Sequence, residues 1–123
     1  MFSTNKKDFD FDIQLYELRP NGEHLQLAWY WSRASLVADR SHRELLTTSG
    51  KRQSLEFKST LLMSRQFQQG SRVVVVLSVL KRPNVEINYG TGKDVSQETI
   101  ADAKVPLQIT WFGDSFIEVP VKR

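Results

Sequence analysis

Phe9, Phe11, Ile13 and Leu15 alternate with Asp8, Asp10, Asp12 and Gln14. A period of two places the apolar set on one face, so this segment predicts a half-buried strand. After Leu15 the phase slips, because Tyr16 and Leu18 continue the apolar pattern on even numbers. A bulge near Leu15–Tyr16 accounts for the slip. Arg19-Pro20-Asn21-Gly22 is a turn signal: proline presets φ and Asn-Gly tolerates positive φ. Leu25, Leu27, Trp29 and Trp31 then alternate with His24, Gln26, Ala28 and Tyr30, so the two runs predict a hairpin.

The remaining chain carries shorter signals. Ser41-His42-Arg43-Glu44 has the Ser-x-x-Glu form of a capping box and predicts a short helical turn. Leu55 and Phe57 alternate with Ser54, Glu56 and Lys58, as in a strand, and residues 65–70 read as a connection. Arg72 to Leu80 is β-branched and almost continuously apolar, which predicts a central strand covered on both faces. Residues 94–103 have room for a short helix capped by Asp94 or Ser96. Leu107, Ile109 and Trp111 suggest a strand, Gly113-Asp114 a turn, and Ile117, Val119 and Val121 a last strand. Six or so strands with little helix, no repeat and no linker predict one all-β domain over 1–123, an antiparallel sandwich or jelly roll.

Composition adds limits rather than detail. At 123 residues the chain buries roughly two-thirds of its unfolded surface, enough for one core. No apolar run approaches the ~18 residues that span a membrane, and the N-terminus lacks a signal-peptide core. With no cysteine, disulfides and thiolate metal sites are excluded. These features fit a cytoplasmic protein that does not engage a membrane. The net charge is +3, and residues 41–82 hold eight Lys or Arg against two acids. Because these cations are scattered among apolar residues, they read as a solvated face or one that docks on an acidic neighbour. A nucleic-acid partner is not expected, although one would reveal itself by affinity that falls steeply with salt.

Candidate chemistry is sparse. Gly90-Thr91-Gly92-Lys93 suggests a phosphate cradle, but Asp94 follows where Ser or Thr is needed and Ile87 stands where the first Gly belongs. Its backbone amides still allow a small anion nest. Asp8, Asp10 and Asp12 resemble the start of a calcium loop, yet Ile13 replaces the turn glycine and Arg19 the closing Glu, so the carboxylates read as the polar face of a strand. His24 and His42 are the only histidines, and no Gly-x-Ser-x-Gly elbow exists. The sequence therefore assigns no catalytic residue, metal or cofactor. Trp29, Tyr30 and Trp31 are consecutive and must point to both faces of their strand, predicting a core tryptophan plus an interface tryptophan, or aromatics that stack sugars or bases.

Five segments in order resemble the C-terminal domain of the CocE/NonD hydrolases, the group of cocaine esterase, α-amino-acid ester hydrolases, glutaryl acylases and Xaa-Pro dipeptidyl-peptidases. KKDFDFDIQLYELRPNG resembles that family's Asp-x-Asp-Phe strand and Pro-(Asp/Asn)-Gly turn, and SRASLVADR its Arg-Ala-Ser segment. LLTTSGKRQSLEFKSTLLMSRQFQQGSRVVVVLSV resembles its Pro-Gly, strand and Phe-x-x-Gly-x-Arg sequence, with Ser49 in place of the proline. PNVEINYGTG resembles its Asn-rich glycine loop, where the common Pro-Asn-Thr-Gly stands here as Tyr89-Gly90-Thr91-Gly92. SFIEVPV resembles its closing strand.

The resemblance implies a jelly-roll β-sandwich of the galactose-binding-domain-like kind, missing its first strands. It implies that Met1 starts inside the domain and that the chain is a fragment. The Ser-His-Asp triad would lie in an α/β-hydrolase domain upstream. By itself the chain would be non-catalytic and would need no cofactor. It would pack on that catalytic domain, shape its active-site rim, and support a homo-oligomer through an unpaired strand edge. Trp29, Trp31, Arg33, Asn88, Tyr89 and Gly92 are the expected interface or rim residues, with the loop from Pro83 to Asp94 facing the catalytic domain. A free-standing carbohydrate-binding module is the alternative.

Overall fold

The computed structural model describes residues 1–56, 58 and 63–120. Its strands are β1 (Phe2–Thr4), β2 (Asp10–Leu18), β3 (His24–Arg33), β4 (Arg72–Val79) and β5 (Ile109–Trp111). Among the described residues helix is confined to 3-10 turns at Ala34–Leu36 and Val95–Gln97 and a single turn, α1, at Ile100–Ala103. All strand pairs are antiparallel. β1 pairs with β5, while β3, β2 and β4 form a sheet in that order. The fold is all-β. No helix among the described residues is long and apolar enough to cross a membrane.

The β2–β3 hairpin forms, β2 follows the alternation read from the sequence, and the register shifts between Leu15 and Tyr16 where the apolar phase slips. β3 departs from its predicted alternation, because beyond that shift Trp29 and Trp31 lie opposite Gln14 and Asp12 on the polar face and Tyr30 lies opposite Ile13. The turn closes with Gly22 at φ +88° and its N–H bonded to the Arg19 carbonyl at 2.9 Å. Cross-strand partners show which side chains share a face, because directly opposed residues project the same way. Phe11, Ile13 and Leu15 lie opposite Val79, Leu77 and Val75, and Phe11 and Ile13 lie opposite Ser32 and Tyr30. This is the apolar face. The other face carries Asp10, Asp12 and Gln14, opposite Arg33, Trp31 and Trp29.

The core is small and aromatic. Phe2, Phe9, Phe11 and Ala34 are buried, and Ile13, Tyr30, Val37, Leu46, Leu55, Leu107 and Ile109 pack against them. Ring contacts join the two sheets: Phe2 meets Phe9 edge-on at 5.6 Å, Phe9 meets Phe11 at 6.0 Å, and Phe11 meets Tyr30 at 6.3 Å. Such pairs add about 1 kcal/mol each beyond their buried area.

Several sequence expectations are corrected. β4 is an edge strand rather than a covered central one: among the described residues it pairs only with β2, and Val73, Val75, Val76, Leu77 and Val79 are 39–44% exposed. Its β-branched residues suit a pleated strand whether or not a neighbour covers it. The Ser41 capping box does not form, because Asp39 accepts both the N–H and the hydroxyl of Ser41 and makes a turn. A capping box forms instead at Thr99 and Asp102, around α1, while Asp94 caps the preceding 3-10 turn. Residues 117–120 form no strand, and Val121 lies outside the described residues. Near Leu55 the only pairing among the described residues is an isolated bridge from Gln53 to Phe2, and Phe57 lies outside the described residues.

Candidate functional site

The polar face of β2 is the most elaborate side-chain assembly in the molecule. Alternation there predicts three solvated aspartates, but Asp8, Asp10 and Asp12 are 1%, 4% and 3% exposed. Buried carboxylates are stable only when their oxygens are satisfied, and each of these has its own set of donors.

Asp8 Oδ1 accepts the backbone N–H groups of Phe9 and Ser35 at 3.0 and 2.9 Å, and Oδ2 accepts the Ser35 hydroxyl at 2.8 Å and Arg43 Nη2 at 3.1 Å. The 3-10 turn at Ala34–Leu36 supplies those Ser35 donors, and Ala34 N–H is anchored to the Phe9 carbonyl. Asp10 accepts Arg33 at both oxygens and Asn88 Nδ2 at 2.8 Å. These bonds to Asp10 raise the Arg33 pKa above its ordinary value. Asp12 Oδ2 accepts Gln14 Nε2 at 2.7 Å and the Trp29 indole N–H at 3.2 Å, with Arg82 Nη2 at 3.7 Å. The Arg82 guanidinium also stacks over the Trp29 ring at 4.5 Å, a cation–π contact that covers the carboxylate.

The glycine loop docks on the start of this strand. Gly90 has φ +75°, and a Cβ there would meet the Asp8 carbonyl oxygen at 2.6 Å and Lys6 Cβ at 2.8 Å. The Lys7 N–H bonds to the Gly90 carbonyl at 3.0 Å, and Arg43 Nη1 donates to the Lys93 carbonyl at 2.9 Å. The loop holds an anion, but the chain's own and not with the expected set of amides: the Gly90 N–H goes to Asn88 Oδ1 at 2.8 Å, and Tyr89 joins Thr91 in binding Glu98. Glu98 accepts the N–H groups of Tyr89 and Thr91 at 2.7 and 2.9 Å, and the Thr91 hydroxyl as well. Lys93, the cation of the phosphate-loop idea, pairs with Asp102 at 2.7 Å. That contact, followed by the bonds from Thr99, holds the Asp102 carboxyl down to about 2. The Gly90, Thr91 and Lys93 amides of the would-be cradle are thus already engaged, by Asn88, Glu98 and the Thr91 hydroxyl.

A fourth buried carboxylate stands on the apolar face. Glu17, with no exposure at all, accepts Arg65 Nε at 2.7 Å, the Ser71 hydroxyl at 2.7 Å and the Gln68 N–H at 3.1 Å. Led by the Arg65 bond, these partners hold its carboxyl down to about 2.

Of the six residues expected at an interface or rim, the structure brings Arg33 and Asn88 together on Asp10, and Trp29 onto neighbouring Asp12. Neither Trp29 nor Trp31 enters the core. Tyr30 faces it, so its two neighbours share the opposite face, and Trp31 is 55% exposed. Tyr89 and Gly92 lie in the loop, where Gly92 packs against Leu45 and Lys7. Sequence reasoning missed Ser35, Arg43, Arg82 and Glu98. The one available signal was arithmetic: the acids of a buried strand need cations, and arginines were the candidates.

His42 is exposed, and His24 contacts the edge of the Tyr16 ring at 6.3 Å. Among the described residues no group of three or more His, Asp or Glu side chains is placed to hold a metal ion. What the arrangement does is lock β2, the 3-10 turn and the glycine loop together through charge-assisted bonds. No family model, curated protein or solved structure matches the chain.

Proposed function

We propose that the chain is a non-catalytic jelly-roll module of a CocE/NonD-type serine hydrolase, acting on Xaa-Pro peptides, acyl amides or esters through a separate α/β-hydrolase domain. Its work is to pack on that domain and to form part of the active-site rim. One observation carries the reading. Leu77 and Val79 sit beside Ile13 and buried Phe11 on the apolar face, yet they are 39% and 44% exposed. An apolar sheet face that outruns its own core fits a second body packed against it. Trp31 and the loop around Tyr89 supply the rim, and the ion-paired aspartates keep the surface rigid.

Co-purification of the chain with an α/β-hydrolase domain of this type, expressed without its own C-terminal domain, tests the reading. Leu77→Asp should abolish the association, and alanine at Trp31 and Tyr89 should weaken it. No co-purification of the wild-type chain, or undiminished co-purification of Leu77→Asp, would defeat the proposal.

A carbohydrate-binding module is the second reading, favoured by Trp31 standing exposed one strand over from Asp12 and next to the Trp29–Arg82 stack. It predicts that Trp31→Ala removes retardation in a polysaccharide-containing gel.

A further inference from the structure

The basic stretch from residue 41 to 82 contains two acids, Glu44 and Glu56, and the fold brings both to one place. They line a groove of about 310 Å³ between the chain that follows the Ala34–Leu36 turn and the chain around Leu55. Its floor is apolar. Val37, Leu46 and Leu55 line the groove and also pack against the aromatic core, so the core holds the floor in place. Leu45, 48% exposed, lines it as well. The volume is at the low end for ligand sites and suits one or two side chains rather than a large cofactor. The two acids are exposed, and among the described residues neither makes a hydrogen bond or an ion pair. Neighbouring cations are engaged elsewhere: Arg43 with Asp8 and the Lys93 carbonyl, and Arg52 with Asp114. Gln53 is likewise tied at both ends of its amide to the Thr47 backbone. Ser54 to Glu56 run along the groove without a backbone hydrogen bond among the described residues.

We propose that this groove takes an arginine side chain flanked by apolar residues, presented on an extended peptide segment of a partner protein. Charge selects the occupant. Two carboxylates on one groove repel each other until a cation enters, and a guanidinium offers a planar fork of donors that matches a carboxylate. The arginine stem and the apolar neighbours lie on Val37, Leu46 and Leu55, while the charged head stays at the groove mouth with Glu44 and Glu56. The unpaired backbone of Ser54 to Glu56 favours a peptide over a free amine, because an extended segment can bond its main chain there and place alternate side chains in the groove. The same carboxylates turn away an acidic segment. None of the lining residues belongs to β3 or β4, so this site stands independently of both readings given above.

Titration of the 123-residue chain with acetyl-Leu-Arg-Leu-amide, followed by amide chemical shifts, tests this. The Leu45, Leu46 and Leu55 amides should move, and those of the β2–β3 hairpin should not. The same peptide with citrulline in place of arginine keeps the shape and loses the charge, and it should bind about tenfold more weakly or worse. The double variant Glu44→Gln, Glu56→Gln should lose a similar factor for the arginine peptide and nothing for the citrulline peptide. Both acids are exposed and unpaired among the described residues, so the variant should keep the wild-type spectrum. No shift at the three leucines, shifts confined to another surface, equal affinity for the two peptides, or undiminished binding by the variant would overturn the proposal. The comparison of the two peptides uses the wild-type chain alone and decides the matter even if the variant fails to fold.

Discussion

The guanidinium of Arg33 holds the carboxylate of Asp10 by two bonds, Nε to Oδ1 at 2.9 Å and Nη2 to Oδ2 at 3.2 Å. The two residues are directly opposed across β2 and β3, so the pair ties the end of the hairpin shut. Asp10 is almost fully buried, whereas the Arg33 side chain keeps 26% of its exposure. Removing the arginine leaves a buried carboxylate with Asn88 as its remaining side-chain donor. Full burial of the pair would make that cost 3–5 kcal/mol, and the arginine's exposure reduces it to about 2 kcal/mol. Arg33→Ala should lower the unfolding free energy by that amount, read as a lower urea midpoint with an unchanged slope. Arg33→Lys should recover less than half of the loss, because an ammonium cannot reproduce the fork.

Glu17 sets an acid limit. Its folded-state carboxyl is held to about 2, against an ordinary value of 4.5. A depressed pKa contributes stability that is present above 4.5 and is lost as the pH falls from 4.5 towards 2. Glu17→Gln should flatten the stability profile across that window. Thermal melts at pH 2.5 and 6 check this: the wild type should lose much more on acidification than the variant.

The glycine loop gives a matched pair of substitutions. Gly90 and Gly22 both have positive φ, at +75° and +88°. An added Cβ at Gly22 meets nothing within 4 Å, so Gly22→Ala should cost only the backbone strain, about 1 kcal/mol. At Gly90 the same methyl drives into the backbone of Asp8, adding an overpacking cost of about 2 kcal/mol. Gly90→Ala should therefore be clearly the worse of the two by denaturant titration.

Glu98 occupies the nest formed by the Tyr89 and Thr91 amides. Glu98→Ala should leave those two amides open to water. Their hydrogen exchange should accelerate by tenfold or more, while the β2–β3 amides are unchanged. Equal rates in wild type and variant would show that the loop does not depend on this carboxylate.

Local periodicity made the hairpin legible, down to the bulge at Leu15–Tyr16, because strand alternation and turn chemistry are encoded within a few residues. The coverage of β4 was not legible. An apolar run states what a strand prefers to touch, but whether a neighbour is present depends on the rest of the assembly. The aspartates misled for a related reason. Asp8, Asp10 and Asp12 have the spacing of a wet face, and their burial depends on Arg43, Arg82 and Asn88, which arrive from distant segments. Glu98 could not have been matched to the glycine loop from spacing alone, since its contact depends on how the chain folds back after Gly92.

The central claim is that this chain is one body of a larger hydrolase and that its open apolar sheet face is covered there. The most direct measurement is the mass of the protein in source-cell lysate, by immunoblot with an antibody raised against the chain. The account predicts a band several times heavier than 14.2 kDa under denaturing conditions. A single band at 14.2 kDa would contradict it and would make the chain a free-standing module.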